Sequence, residues 1–317
     1  MPRTIENIDM LTTGLANDHA IKAREGLVGA QLAPRVGVET PTGVYYTYTK
    51  EQAFKVVDDT FSENGEAKNI TKTGTKTPYN TTQHGNKILI KKDEAILKIG
   101  PFVKADKDFI QDCVDNIEKN QERRIRDKFL NLPGRSISLT GTGSAKTNKW
   151  TNGGGDPYLA FLDAISSCYY RPNLVTIPEG VFDVLEFHPV LIAKLGEANM
   201  IKKVNEDTLA KLFRIDRVLI AKGKADFGKQ KADKSSNPTV IWGNNVMFTY
   251  VDERKDVPCG MKTIIVQYPG ADGNGYIVRK WDAPTKGIMG GYEIQVACDI
   301  EEHVVSDELC FSIQDVL

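Results

Sequence analysis

The chain has 317 residues, 40% of them hydrophobic, and its 41 lysines and arginines nearly balance 42 aspartates and glutamates, for a formal charge of −1. That length predicts about two domains with real cores. The charge balance argues against a dedicated nucleic-acid binder, which carries a basic excess to neutralise phosphates. Five dispersed cysteines (Cys113, Cys168, Cys259, Cys298, Cys310) contain no CxxC pair and predict reduced thiols. Charges run through the first thirty residues, leaving no signal-peptide core, and no apolar run approaches a membrane span of ~20 residues. The expectation is a soluble chain made inside the cell, with no membrane partner.

Residues 1–35 mix charge with short apolar clusters and read as an N-terminal arm. Residues 36–49 (VGVETPTGVYYTYT) are β-branched and aromatic, broken by Pro41 and Gly43, and predict a strand or hairpin. Residues 62–87 (SENGEAKNITKTGTKTPYNTTQHGNK) are apolar only at Ala67, Ile70 and Tyr79. Such a segment cannot bury enough surface to fold alone; it is disordered or takes its order from another molecule. Strands at 87–92 (KILIKK) and 95–99 (AILKI) frame it, so the reading is an extended β-hairpin loop.

Residues 106–130 carry the strongest helical pattern. Asp106 and Asp108 sit in its first turn and Arg123, Arg124, Arg126 and Lys128 crowd its end, a polarity that complements the helix dipole, and Pro133-Gly134 stops it. About 25 residues at 1.5 Å rise give roughly 37 Å. Phe109, Cys113, Ile117, Ile125 and Phe129 recur mostly at steps of four or eight, with Gln121 interrupting. A step of four drifts by ~40°, so the stripe winds and the helix touches different neighbours at its two ends.

Beyond a Thr/Gly/Ser/Asn-rich linker at 139–155 the chain turns regular αβ. Asp156 caps a helix with Pro157 at its first position and Tyr158, Phe161, Leu162, Ile165, Cys168 and Tyr169 on one face. A buried strand at 174–177, helices at 181–187 and 190–195, a helix at 206–213 capped by Asn205, and a strand at 217–221 follow. Residues 240–251 (VIWGNNVMFTYV) predict a hairpin around Gly243-Asn244-Asn245, and strands are expected at 263–268, 276–281, 292–298 and 309–316.

No catalytic constellation emerges, and no cofactor is implied. LTGTGSAKT at 139–147 has glycines too close together for a phosphate loop and no Gly-Lys pair, so a flexible linker is the better reading. His19, His84, His188 and His303 are isolated, without a second ligand at metal-binding spacing. No Gly-x-Ser-x-Gly elbow is present. The basic cluster Arg123, Arg124, Arg126 and Lys128 either touches nucleic acid or an acidic neighbour, or is a solvated helix end. Lys68, Lys72 and Lys76, at steps of four, either protect a β-edge or dock onto a partner's acidic residues. Together with Tyr79, these lysines and Arg123, Arg124 and Arg126 are the candidate subunit-interface residues.

This organisation resembles the major capsid proteins of tailed phages, with the Hong Kong 97-type capsid fold. The phrases KWTNGGGDPYLAFLDAI, RPNLVTIPEGVFDVLEFHP, NEDTLAKLFRIDRVLIAK, VIWGNNVMFTYV and YIVRKWDAPTKGIMGGYEIQVACD carry the resemblance in their shared order, from about residue 27 to the end. It implies an α+β chain with an N-terminal arm (1–35), a peripheral domain starting at 36–61, and an extended loop (62–87). The peripheral domain continues at 88–152 with the spine helix, and an axial domain spans 153–270. Peripheral strands (271–304) and a C-terminal strand returning to the axial domain (305–317) complete it. The implied role is structural: a non-enzymatic subunit of an icosahedral shell, built of pentamers and hexamers in the host cytoplasm around double-stranded DNA held without sequence specificity. A portal protein, a decoration protein and a separate scaffolding protein are the implied partners, since too few residues precede Leu27 for a fused scaffold. Some relatives crosslink a loop lysine to an asparagine with help from a glutamate. Lys68, Lys72 and Lys76, with Glu293 and Glu301, lie in the corresponding segments, but no motif fixes such a set. An encapsulin-type compartment is the alternative within the fold, and a small nucleotide- or phosphate-binding enzyme the alternative outside it.

Overall fold

The computed structural model describes residues 8–47, 75–91, 102–139, 148–151, 154–195, 203–227, 238–254, 259–268, 275–286 and 289–317, together with positions 56, 59, 60 and 65. Lys68, Lys72, the strand expected at 95–99 and most of the LTGTGSAKT segment lie outside the described residues.

In chain order the first part holds α1 (Met10–Ala23), α2 (Gly29–Leu32), β1 (Arg35–Val38), β2 (Thr42–Thr47), β3 (Thr75–Asn80), β4 (Thr82–Lys91), α3 (Phe102–Leu130) and β5 (Ser136–Ser138). Next come α4 (Pro157–Ser167), β6 (Leu174–Pro178), α5 (Glu179–Glu186), α6 (Pro189–Leu195), α7 (Glu206–Phe213), β7 (Arg217–Ala221), β8 (Lys224–Ala225), β9 (Thr239–Val240) and β10 (Val246–Thr249). Strands β11 (Met261–Val266), β12 (Ile277–Ala283), β13 (Gly291–Val304) and β14 (Cys310–Gln314) complete an α+β chain.

The 14-residue β13 organises the first sheet. Ile300 pairs with Ile265 on one side and Thr82 on the other, and Ala297 pairs with Ile277 and Gly85. Strands β11 and β12 therefore lie end to end along one side of β13, with β4 along the other, and β1 joins β11 in parallel. Helix α3 lies over this sheet. Ile110, Cys113, Val114 and Ile117 share a core with Ile90, Ile294 and Val296, while Ile125 and Phe129 reach a different core containing Leu32, Trp242 and Met261. The winding stripe thus does connect two sets of neighbours. The helix begins at Phe102, so Asp106 and Asp108 are not in its first turn. Asp106 instead accepts from the Lys280 ammonium (2.7 Å) and the Tyr292 hydroxyl (2.5 Å), pinning the helix to the sheet.

The second sheet runs β5-β14-β10-β6-β7. Phe161 of α4 stacks on Phe213 at 4.8 Å and meets the Phe248 edge at 5.1 Å, with Trp150 also in this core. Burial of such side chains is worth about 1.5–3 kcal/mol each. The helix ends match the sequence reading: Asp156 accepts from the Leu159 amide with Pro157 in the first turn, and Asn205 and Thr208 form a reciprocal capping box.

Several expectations change. The segment expected as an N-terminal arm folds onto its own chain: α1 buries Thr13, Ala16, Asn17 and Ala20. Asn17 exchanges hydrogen bonds with the Tyr276 backbone. Residues 36–49 are not a hairpin, because β1 pairs with β11 and β2 with β3. Nor are residues 240–251: β9 pairs with β8, and β10 lies between β14 and β6. The buried Trp242 holds the intervening turn in the core, sending the two strands apart. Strand β11, grouped by sequence with the second part, pairs in the first sheet. The linker at 139–155 anchors Leu139 and Trp150 in the core. On α4, Ala160 and Ala164 take the buried face and Leu162 is exposed.

Candidate assembly surface

Strands β2 and β3 form a two-stranded ribbon whose register runs from Thr42 opposite Asn80 to Thr47 opposite Thr75. The extended hairpin expected from sequence is therefore built differently. Its second strand lies inside the polar segment, and residues from Thr82 onward pair with β13 of the same chain. Backbone pairing needs no apolar side chains, which is why a segment poor in them still forms strand. Tyr79 crosses to Gly43, its direct partner, and its ring fills the space that a side chain there would occupy: a Cβ on Gly43 would lie 2.5 Å from the Tyr79 hydroxyl. Tyr79 is thus buried within its own ribbon. Lys76 is exposed on the same ribbon.

At the ribbon's root the Asn80 amide donates to the Glu301 carboxylate (2.6 Å), and the Thr81 amide donates to the Pro41 carbonyl (2.9 Å). The Tyr45 ring lies 5.5 Å from the His303 ring, with the Lys262 ammonium 5.8 Å from its centroid. The end of β13 is therefore the ribbon's mount. Of the two later glutamates noted from sequence, Glu301 serves this mount and Glu293 pairs with Lys87 at 2.9 Å.

The basic end of α3 is largely committed inward. Arg124 donates to Glu302 (3.0 Å), Lys128 to the Glu302 carbonyl, and Arg126 to the Ile241 carbonyl (2.6 Å) as well as to Asp127. Arg123 pairs with Asp127 at 3.6 Å and lies over the Phe227 ring at 4.8 Å; it is the most exposed of the three arginines. Among the described candidates, Lys76 and Tyr79 thus lie on the ribbon, while Arg123, Arg124 and Arg126 lie at the helix end, where Arg124 reaches β13.

Sequence reasoning missed two buried carboxylates on α3. Glu118 is 3% exposed and accepts from Arg24 (2.8 Å), Arg35 (2.9 Å) and the Tyr276 hydroxyl (2.7 Å). Gln121, read as an interruption, is buried and accepts from Arg35 while donating to Thr263. Glu122 accepts from the Val28 amide (3.0 Å), the Gly29 amide (2.6 Å) and the Trp242 indole (2.5 Å). Burial pushes the Glu122 carboxyl above its ordinary value, with those three donors opposing. These residues join α3 to the turn after α1, to α2, β1 and β11, to the residue before β12 and to the turn before β10. The available signal was Gln121 itself: a polar residue in register with an apolar stripe, flanked by acids that share its face. Gly29 abuts this cluster, and a Cβ there would lie 2.3 Å from Glu122 Oε2. Gly29→Ala is expected to cost about 1–3 kcal/mol, read by urea denaturation.

Among the described residues no helix is long and apolar enough to cross a membrane, and no cluster of His, Cys, Asp and Glu is suited to hold a metal ion. The five cysteines are free and buried, and burial pushes the Cys168 and Cys298 thiols up to about 12.

No protein-family model and no curated protein matches the sequence. Solved structures do match. A phage-related protein from Bordetella bronchiseptica superposes with a TM-score of 0.72 at 17% identity, covering 99% of this chain and 98% of that one. A virus-like particle from Pyrococcus furiosus gives 0.55 at 10% identity over 95% and 98%. The capsid of cyanophage P-SCSP1u gives 0.54 at 8% identity over 89% and 86%. The fold is that of tailed-phage major capsid proteins.

Within this capsid fold, two histidines sit beside the ribbon mount. Burial lowers His303, with Glu301 opposing and Lys128 assisting; burial and Arg124 lower His84 against Glu302 and Asp299. A histidine lowered in the folded state stays neutral there while the unfolded chain takes up a proton near its ordinary value of about 6.5. Its contribution is therefore complete above about pH 6.5 and falls as pH drops towards the lowered value. The melting temperature is expected to decline between about pH 7.5 and 5.5, above the carboxylate range. The double variant His84→Gln/His303→Gln is expected to flatten that limb of the thermal-melting profile.

Proposed function

We infer that this chain is the major capsid subunit of a tailed phage, assembling through rings of five and six into an icosahedral shell around double-stranded DNA. The observation carrying this is the capsid fold over nearly the whole chain, joined to a β2–β3 ribbon mounted on the end of β13. An isolated two-stranded ribbon is at best marginally stable in water. Its polar, pairing-competent edges suit contacts with an adjacent subunit, where Lys76, and Lys68 and Lys72 in the connecting segment, meet acidic groups. Heterologous contacts of that kind close into rings. A separate scaffolding protein sets one shell size, the portal occupies one vertex, and the DNA is enclosed without sequence-specific recognition. Assembly takes place in the host cytoplasm, and the subunit has no enzymatic role.

Negative-stain microscopy of the purified protein tests this reading. Hollow shells, of mixed size without scaffold and uniform with it, are the expected result; a small oligomer that binds nucleotide would sink it. An encapsulin from Synechococcus elongatus shares the fold (TM-score 0.51, 11% identity). Particles isolated from producing cells therefore decide the contents: nuclease-protected DNA supports the phage reading, and a protein cargo supports a compartment.

A further inference from the structure

A cleft of about 390 Å³ opens between the end of α1, the middle of α3 and the β7–β8 turn. Lys22, Lys119, Lys222 and Lys224 line it from these three places, over a floor that includes Ala23, Gly26, Leu27 and Gly223. All four lysines are exposed, and none of their ammonium groups has a hydrogen-bond or ion-pair partner among the described residues. The carboxylate beside them, Asp115, is engaged by His19 at 2.8 Å. A second hollow of about 420 Å³ shares Asp115 and Lys119 and extends the groove along α3 to Arg123, but Asp112 and Asp226 line it too, so the positive excess is confined to the first cleft.

We propose that this cleft binds the phosphodiester backbone of nucleic acid. Four ammonium groups gathered around the single carboxylate Asp115 repel one another and leave the cleft with a positive excess. An anion relieves that repulsion and releases the counterions that otherwise screen it. Its chemistry follows from the side-chain type. Carboxylate partners are recognised best by arginine forks, and the nearby Arg24, Arg124 and Arg126 are spent on Glu118, Glu302 and the Ile241 carbonyl. Lysines are point charges on flexible stems, so they follow phosphates spaced along a backbone without demanding one orientation. The cleft is too small to admit a duplex; the rim lysines reach the phosphates of one lying across it. With a near-neutral chain supplying no long-range attraction, the contact is local, independent of sequence and steeply dependent on salt. The identity of the nucleic acid as packaged DNA rests on the capsid reading above; the phosphate chemistry does not.

The test is fluorescence anisotropy of a labelled mixed-sequence duplex titrated with unassembled subunits over a salt series. About three to four phosphate contacts predict a slope of log K against log salt near −3. The Lys22→Gln/Lys119→Gln/Lys222→Gln/Lys224→Gln variant is expected to bind at least about tenfold more weakly at low salt, with a slope near zero. Because the four side chains are exposed and unpaired, its melting temperature should match the parent's; should it not fold, single Lys119→Gln and Lys222→Gln changes are each expected to reduce the slope by about one. Binding unchanged in the variants, or poly-glutamate bound more tightly than DNA, would overturn the proposal. Shell formation is scored in parallel. Shells from subunits that bind no DNA overturn this site alone, whereas lysine-dependent binding by subunits that never form shells overturns the capsid reading alone.

Discussion

Glu118→Ala is expected to lose about 3–5 kcal/mol of folding free energy, the range for removing one partner of a buried ion pair. Three groups converge on that carboxylate: Arg24, Arg35 and the Tyr276 hydroxyl. Removing it takes a shared carboxylate from two guanidinium groups that are at most 15% exposed and from the buried Tyr276 hydroxyl. The loss is a large share of the 5–15 kcal/mol that stabilises a typical domain. Urea denaturation at neutral pH measures it, and Glu118→Gln, which keeps the shape and one acceptor, should lose less. A change below about 1 kcal/mol for Glu118→Ala would mean that the cluster contributes little. The pH dependence follows from the same contacts. Burial alone would raise the Glu118 carboxyl, but Arg35, Arg24 and Tyr276 outweigh it and hold the group below its ordinary value. Its stabilisation is therefore complete above the ordinary carboxylate range and is lost as pH falls through the lowered value. The acid limb of the stability profile should be shallower in Glu118→Gln than in the parent.

Removing the segment between β2 and β3 is expected to abolish shell formation while leaving a folded subunit. Thr47 and Thr75 are cross-strand partners, so an Asn-Gly turn in place of residues 48–74 closes the ribbon without disturbing its register. Cutting further, into Thr82 or Gln83, would remove residues paired with β13 and confuse folding with assembly. Circular dichroism and melting should match the parent, because every described member of the three cores lies outside the deleted segment. Microscopy should show capsomers or unassembled subunits where the parent gives shells. Normal particles from the shortened chain would show that this segment does not join neighbours.

What the sequence determined by itself is local. Asp156-Pro157 and Asn205 announce helix starts because a cap is a contact among residues three apart. The strand at Arg217–Ala221 is a short apolar run between a helix and a turn, and the winding stripe of α3 follows from helical geometry acting on its own residues. The order of these pieces was enough to show the capsid resemblance. Tertiary structure decided the partners. VGVETPTGVYYTYT reads as a strand or a hairpin, yet β1 goes to β11 in parallel more than two hundred residues away while β2 turns to β3, and neither pairing leaves a mark in the local pattern. The mount of the ribbon is equally non-local, since it needs Asn80 and Tyr45 brought to Glu301 and His303. Glu118 and Glu122 look like solvated charges on a polar helix, because the helix's own residues offer them no partner that would make burial tolerable. Only when Arg24, Arg35, Tyr276 and Trp242 arrive from four other segments can a buried carboxylate recover, through hydrogen bonds and opposite charge, the free energy it loses on leaving water.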